Sequence, residues 1–223
     1  MPYRHEFKHS INTADFLMLD NKIRLFAEPD ENCRNGSYFV RSLYFDNYMD
    51  KALREKLDGI SVREKFRIRY YNMDDSKILL EKKAKHKGLC LKEQTFLTRQ
   101  QVEQIMANDY AFLANSDNLL LNEFYAKLEN ECLRPKLIVD YTRKAYVYAP
   151  GNVRITFDSD IHSSVFTDDF FNSDVSAVSV PVPNTIIMEV KYDEFLPQII
   201  ADLLRLEGRH TASFSKYAAG RYI

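Results

Sequence analysis

Charged and apolar residues alternate through segment 61–71, which reads Ser-Val-Arg-Glu-Lys-Phe-Arg-Ile-Arg-Tyr-Tyr. Successive side chains of a strand point to opposite faces, so four cations at alternate positions would share one face, and the other face would suit a core. Like charges on one face repel each other unless water or an anion screens them. The cations are Arg63, Lys65, Arg67 and Arg69, and the opposite face carries Phe66, Ile68 and Tyr70.

The same periodicity predicts eight strands, bounded in places by turn-forming residues. Their approximate ranges are 2–9, 38–46, 61–71, 76–84, 90–97, 136–147, 152–158 and 185–192. Eight antiparallel strands can close a barrel. We therefore predict an α+β fold in which an eight-stranded antiparallel β-barrel forms a charged tunnel, with flanking helices.

Helical patterns lie between these strands, at about 13–27, 99–108, 117–132 and 196–207. Thr98 and Gln101 form a capping-box pattern at the start of the second helix. The stretch 159–184 is predicted to be a loop. In the first helix the apolar residues expected on one side are Phe16, Leu17, Leu19, Ile23 and Phe26.

Cations with embedded acids or tyrosines recur on one face of the other predicted strands. The face could be the wet outside of a sheet that packs on helices, or the lining of a barrel. A lining of this kind could not be dry, because unpaired buried charges cost several kcal/mol each. Residues on these faces include Arg4, Glu6, Lys8, Glu81, Lys83, Lys85, Lys92, Tyr141, Arg143, Arg154, Thr156, Asp158, Glu189 and Lys191.

A chain of phosphates with its metal is the ligand that best matches such a lining. Arginine offers planar, bidentate donors to phosphate oxygens, and embedded carboxylates suit a hard divalent cation. The five histidines are scattered, and no Ser/His/Asp or Cys/His set is convincing. The pattern therefore favours charge neutralisation over nucleophilic catalysis.

Composition limits the remaining possibilities. The chain has 223 residues, of which 45% are hydrophobic and 28% charged, with a net charge of -1. We expect one domain, residues 1–223, and no bulk attraction to nucleic acid or membrane. Cys33, Cys90 and Cys132 have neither disulfide-framework nor zinc spacing. Without an apolar run of membrane-spanning length or a signal-peptide pattern, we expect a cytoplasmic protein.

Short motifs follow one another along almost the whole chain. They are Arg4-His-Glu-Phe-Lys8, Ser42-Leu-Tyr-Phe-Asp-Asn47, Arg67-Ile-Arg-Tyr-Tyr71, Glu81-Lys-Lys83, Tyr141-Thr-Arg-Lys-Ala145, Pro150-Gly151, Arg154-Ile-Thr-Phe-Asp158, Glu189-Val-Lys191 and Ser215-Lys216-Tyr217. In their order and spacing the chain resembles the triphosphate tunnel metalloenzyme superfamily, and more closely its VTC (vacuolar transporter chaperone) polyphosphate polymerase domain.

The resemblance implies transfer of the γ-phosphate of ATP to a growing polyphosphate chain, with Mn²⁺ or Mg²⁺ as cofactor. It implies catalytic phosphate contacts from Arg67, Arg69, Lys83, Lys92, Arg143, Arg154 and Lys191. Further substrate contacts are Lys8, Tyr141, Ser215 and Lys216, and the metal ligands are Glu189 and Glu6. Arg54, Lys56, Arg63 and Lys65 are expected in the same lining, without individual roles.

One motif departs from the superfamily pattern. Triphosphate hydrolases of the superfamily carry Glu-x-Glu-x-Lys on the first strand, whereas here Arg4 takes the first position and Glu6 and Lys8 remain. This weakens a hydrolase assignment and leaves Glu6 either a second metal ligand or a salt-bridge partner. An inorganic or nucleoside triphosphatase and a non-catalytic module that binds polyphosphate or inositol polyphosphate remain as alternatives.

The resemblance also bears on partners. The expected ligands are ATP and polyphosphate, and nucleic acid is not expected, because a closed tunnel would exclude a duplex. The eukaryotic family joins this domain to membrane spans and a phosphate-sensing domain. Since we find no span in this chain, its product would enter the cytoplasm or pass to a separate membrane or regulatory partner.

Overall fold

The structure is a computed structural model and describes residues 4–33, 36–86, 89–180, 186–205 and 214–222. The strands in these ranges form one sheet in which every pair is antiparallel. They are β1 (His5–Ile11), β2 (Glu28–Pro29), β3 (Tyr38–Asp46), β4 (Val62–Tyr71), β5 (Asp74–His86), β6 (Leu89–Leu97), β7 (Arg134–Tyr148), β8 (Val153–Ser164), β9 (Val178–Ser179) and β10 (Ile186–Tyr192).

The longer strands follow the order β1-β10-β8-β7-β3-β4-β5-β6, while the short β2 and β9 pair with β7 and β8. These eight correspond to the predicted eight, so the antiparallel architecture is confirmed. The predicted closed barrel needs correction, because within the described ranges no continuous ladder joins β1 to β6. In that part of the chain an isolated bridge between Arg4 and Cys90 links these edges, with N–O distances of 3.2 and 3.4 Å.

The predicted loop at 159–184 is partly strand. Residues 159–164 continue β8 beside β7, and residues 178–179 form β9. The alternation of this part of β8 is hard to see in the sequence because the register between β7 and β8 shifts between Asp140 and Thr142. Asp160 lies on β8 opposite this shift, and its φ is +50°. Residues 181–185 lie outside the described ranges, as do 206 and 207 at the end of the last predicted helix.

Helices lie beside the sheet, and most are shorter than the periodicity predicts. The first ends four residues early, and Leu17 and Phe26 are exposed while Leu19 and Ile23 are buried. The capping box of Thr98 and Gln101 is confirmed. The helices are α1 (Thr13–Ile23), α2 (Lys51–Leu57), α3 (Arg99–Met106), α4 (Leu119–Asn130), α5 (Gln198–Leu203) and α6 (Lys216–Gly220).

The apolar face of β4 packs against α4. Phe66, Ile68 and Tyr70 are buried in a cluster that also contains Phe124, and the Phe66 and Phe124 rings stack with centroids 5.2 Å apart. Because side chains alternate, the cationic face of β4 must then point away from these helices. No helix in the described part of the chain is long and apolar enough to cross a membrane.

Candidate functional site

A cavity of about 320 Å³ is bordered by side chains from all eight longer strands and from the start of α6. Eleven of its twenty lining residues are Lys or Arg, and three are Asp or Glu. The charged strand faces therefore line a cavity, which decides between the two interpretations of the alternation. All thirteen residues predicted for the site lie on this wall: Glu6, Lys8, Arg67, Arg69, Lys83, Lys92, Tyr141, Arg143, Arg154, Glu189, Lys191, Ser215 and Lys216.

The register of the sheet brings residues distant in sequence together. Lys8 lies opposite Glu189, and Glu6 opposite Lys191, on the neighbouring strands β1 and β10. Arg67 lies opposite Glu81 across the β4–β5 pair. Their common location is a property of the fold, whereas the individual roles of the thirteen residues stay predictions.

Glu81 is a buried anion that holds three cations of the cavity wall. Its carboxylate lies 2.6 Å from Arg67 Nε, 2.5 Å from Lys92 Nζ and 3.8 Å from Arg69 Nη1. Burial alone would raise the pKa of Glu81, but the two arginines and Lys92 outweigh it and hold the pKa well below its usual range. Glu81 was not among the predicted site residues, although it shares their strand face.

Asp158, on β8, plays the same part for two other cations of the cavity wall. It accepts two hydrogen bonds from Arg143, at 2.6 and 2.8 Å, and lies 2.5 Å from Lys216 Nζ. Burial opposes its ionisation, yet Arg143 and Lys216 lower its pKa. Both anchoring acids were visible in the alternation, but only the contacts distinguish an anchor from a ligand-binding group.

Glu6 and Glu189 share three lysines. Lys83 Nζ lies 2.6 Å from Glu6, Lys191 Nζ lies 3.3 Å from Glu189, and Lys8 Nζ lies 3.2 Å from Glu6 and 3.7 Å from Glu189. Burial, and for Glu6 also the charge of Glu189, favours the neutral acids, but the lysines lower the pKa of Glu6 and hold that of Glu189 well below its usual range. Both carboxylates are therefore ionised.

This pair of carboxylates fits a divalent cation that also binds phosphate. Among the described residues no group of three or more His, Cys, Asp or Glu side chains is placed to hold a metal by itself. Mg²⁺ is commonly bound through one or two carboxylates, with substrate phosphates and water completing its shell. Glu6 and Glu189 supply that donor set.

Tyr44 and Lys65 also line the cavity and were missing from the predicted catalytic set. Burial alone would raise the pKa of Tyr44, but Arg67 and Lys65 outweigh it and lower the pKa to about 7. Burial lowers the pKa of Lys65 to about 7 as well, against the pull of Tyr44. Alternation placed Lys65 on this face, but its half-buried state depends on the fold.

A second cavity of about 400 Å³ adjoins the first and shares Glu6, Lys8, Lys65, Lys83, Cys90 and Ser215 with it. Lys56 and Arg63 border this second cavity. Arg54 is exposed on α2 and lines neither cavity, so its expected place in the lining is wrong. The reason is that α2 turns Arg54 to solvent while Lys56 faces the cavity.

Comparison with solved structures shows a shared fold. A protein from Bacillus halodurans named "putative adenylate cyclase (bh2851)" has a TM-score of 0.50 and 12% identity, covering 90% of this chain and 86% of that one. PH1819 from Pyrococcus horikoshii OT3 has a TM-score of 0.43 and 13% identity, covering 91% of this chain and 84% of that one. None of the curated proteins compared with the chain is similar to it.

The family profile described as the VTC domain matches residues 3–223. This range includes every strand and helix described above and the whole charged cavity. It agrees with the family that the motif order indicates, and the chain therefore belongs to the VTC domain family.

Proposed function

We propose that this protein is a polyphosphate polymerase that transfers the γ-phosphate of ATP to a growing chain of inorganic phosphate. One observation carries the proposal: the cavity bordered by the eight longer strands has eleven cationic lining residues and three acidic ones. A linear chain of phosphates matches cations spread around such a wall. Membership of the VTC domain family supports the same substrate class.

The arginines can bind phosphate without leaving their buried anchors. A guanidinium has five N–H donors, so Arg67 and Arg143, which each donate to a buried carboxylate, keep donors for a ligand. Arg69 donates hydrogen bonds to the hydroxyl groups of Ser42 and Tyr141 and lines the same cavity as Arg67 and Arg143. The remaining proposed contacts on the wall are Lys8, Lys83, Lys92, Tyr141, Arg154, Lys191, Ser215 and Lys216.

Phosphoryl transfer needs mainly alignment and charge neutralisation. The acceptor is a terminal phosphate oxygen that is already deprotonated, so the protein needs no strong general base. The chain's own part is to hold donor and acceptor phosphates in line and to balance their charge. The anchored arginines are already oriented and lose little freedom when the ligand binds.

Glu6 and Glu189 would hold the divalent cation, Mn²⁺ or Mg²⁺, which when bound supplies charge neutralisation between adjacent phosphates. Lys8, Lys83 and Lys191, which share these carboxylates, present their other N–H groups to phosphate oxygens. Burial lowers the pKa of Lys191 to about 8, so this lysine is mostly protonated at neutral pH.

The first experiment is incubation of the purified protein with ATP and Mn²⁺, with products resolved by ³¹P NMR. Internal-chain phosphate signals that grow together with ADP would support the polymerase. Orthophosphate without polymer would replace it with the triphosphatase. Tight binding of tripolyphosphate with ATP left intact would replace it with a binding module.

We further propose that residues 1–223 act as one domain in the cytoplasm, where ATP is supplied. A separate membrane or regulatory partner would receive the product. Cell fractionation, together with capture of the tagged protein from membrane and soluble fractions, tests this location. Recovery of the protein only outside the cytoplasm would contradict it.

A further inference from the structure

Helix α6 brings Lys216 to the cavity. The helix has only five residues, which is too short to be stable without tertiary contacts. Lys216 Nζ lies 2.5 Å from Asp158 and 4.5 Å from the centroid of the Tyr141 ring. The location of the Lys216 amino group therefore depends on what holds α6 against the sheet.

Tyr217, the next residue, attaches α6 to β3. Its hydroxyl donates a hydrogen bond of 2.7 Å to Asp46, and its ring stacks on Tyr44 with centroids 5.3 Å apart. Tyr44 and Asp46 are two residues apart on one strand and so share a face. Burial and Asp46 raise the pKa of Tyr217, which keeps the hydroxyl protonated as a donor.

Asp46 is a rigid acceptor because the backbone holds it. Its carboxylate accepts hydrogen bonds from the N–H groups of Asn47 and Ala52 at 2.9 Å and of Leu53 at 3.1 Å. Ala52 and Leu53 lie in the first turn of α2, whose N-cap Asp50 makes no side-chain cap. Asp46 thus fixes the start of α2 and the hydroxyl of Tyr217 at one point.

We propose that Tyr217, held by Asp46, is a positioning residue that sets where Lys216 meets a bound phosphate; this rests on the proposed function of the cavity. The contact of Lys216 with Asp158 cannot set that location alone, because Asp158 is shared with Arg143 and a phosphate competes for the amino group. The hydroxyl of Tyr217 keeps the backbone of α6 in place while the Lys216 amino group exchanges Asp158 for the phosphate.

The direct test needs no phosphate ligand. Limited acetylation with an N-hydroxysuccinimide ester, read by peptide mass spectrometry, measures how accessible Lys216 is. Tyr217→Phe removes the hydroxyl and keeps the ring. The matched control is Tyr146→Phe, since Tyr146 is also buried and its hydroxyl donates to Asp20 at 2.7 Å in another part of the fold.

Acetylation of Lys216 is expected to rise about fivefold or more in Tyr217→Phe. Losing a hydrogen bond to a charged acceptor shifts the equilibrium between docked and undocked α6 by about that factor or more. Tyr146→Phe should match the wild type. Equal labelling of Lys216 in Tyr217→Phe and wild type would overturn the positioning role. If Tyr217→Phe fails to fold, Asp46→Asn, which weakens the acceptor of the Tyr217 hydroxyl together with the start of α2, should also raise the labelling of Lys216, and unchanged labelling would overturn the role.

Calorimetry with inorganic tripolyphosphate then tests the consequence. Tyr217→Phe should weaken binding several-fold, and the same change in a Lys216→Ala background should have little further effect, since residues that act through one another are not additive. Additive losses would refute the positioning role. A wild-type protein that binds no tripolyphosphate would refute the proposed function, while the labelling of Lys216 would still decide the role of Tyr217.

Discussion

Arg143 donates two hydrogen bonds to Asp158, at 2.6 and 2.8 Å, and both side chains are buried at the wall of the charged cavity. Removing the carboxylate would leave the Arg143 and Lys216 cations without their buried anion. Asp158→Ala is therefore expected to lower the free energy of unfolding by about 3–5 kcal/mol. Denaturant titration measures it, and Asp75→Ala, which breaks an exposed pair with Arg99, should cost less than about 1 kcal/mol.

A bound polyphosphate should compensate for the loss of the Asp158 carboxylate. Tripolyphosphate can neutralise Arg143 and Lys216 in the Asp158→Ala protein, so it should raise the melting temperature of this variant more than that of the wild type. Thermal denaturation with and without tripolyphosphate measures the difference. An equal shift in both proteins would show that the ligand does not reach these cations.

Glu189→Gln should affect turnover and phosphate binding in opposite directions. Losing a carboxylate proposed to hold the metal should lower the metal-dependent rate about 100-fold or more. Removing a negative charge from a basic wall should strengthen metal-free binding of tripolyphosphate. The measurements are ADP formation with Mn²⁺ and calorimetry with a chelator. Glu103→Gln, at an exposed pair with Arg99, is the control, and an unchanged rate in Glu189→Gln would contradict its role.

Binding of tripolyphosphate should weaken as pH rises through neutrality. Lys65, with a pKa of about 7, is cationic below that pH and neutral above it, and Tyr44, also near 7, becomes an anion over the same range. Both changes oppose an anionic ligand. Lys65→Arg stays charged, so calorimetry between about pH 6 and about pH 9 should show a smaller loss in this variant. Equal pH profiles would exclude Lys65 as the titrating group.

Arg41 should be important for stability but not for ligand binding. It forms a bidentate pair with Asp140 at 2.8 and 2.9 Å and donates to the Phe170 carbonyl oxygen, and it lines neither basic cavity. Arg41→Ala should destabilise the protein by about 3–5 kcal/mol, since Asp140 is left unpaired. The affinity for tripolyphosphate, measured below the melting temperature, should stay unchanged. A selective loss of affinity would place Arg41 in the ligand site.

Local alternation predicted which face of each strand carries charge. The split between Arg67 and Phe66 needs only the two-residue period of a strand, and the structure follows it. Partners within one hairpin, such as Arg67 and Glu81, also follow from short-range register. Such features survive tertiary folding because they depend on neighbours along the chain.

The helices were harder to predict where capping or burial comes from a distance. Helix α2 was missed because none of its residues is buried and its first N–H groups are satisfied by Asp46, which ends the preceding strand. In α1, Leu17 matches the apolar pattern, yet the sheet covers only the side with Leu19 and Ile23, and Phe26 lies beyond the end of the helix. The apolar period of a helix does not determine how much of the helix surface the neighbouring sheet covers.

By itself the sequence determined the antiparallel strands, the cationic faces and the residues that would share a site. Tertiary structure alone decided which cations receive a buried anion from outside their own hairpin: Lys216 meets Asp158, whereas Lys65 has no carboxylate within ion-pair distance in the described part of the chain. It also brought Lys8 opposite Glu189, about 180 residues away. Charge pairing and pKa depend on distance and burial in space, and these are set only when remote strands meet.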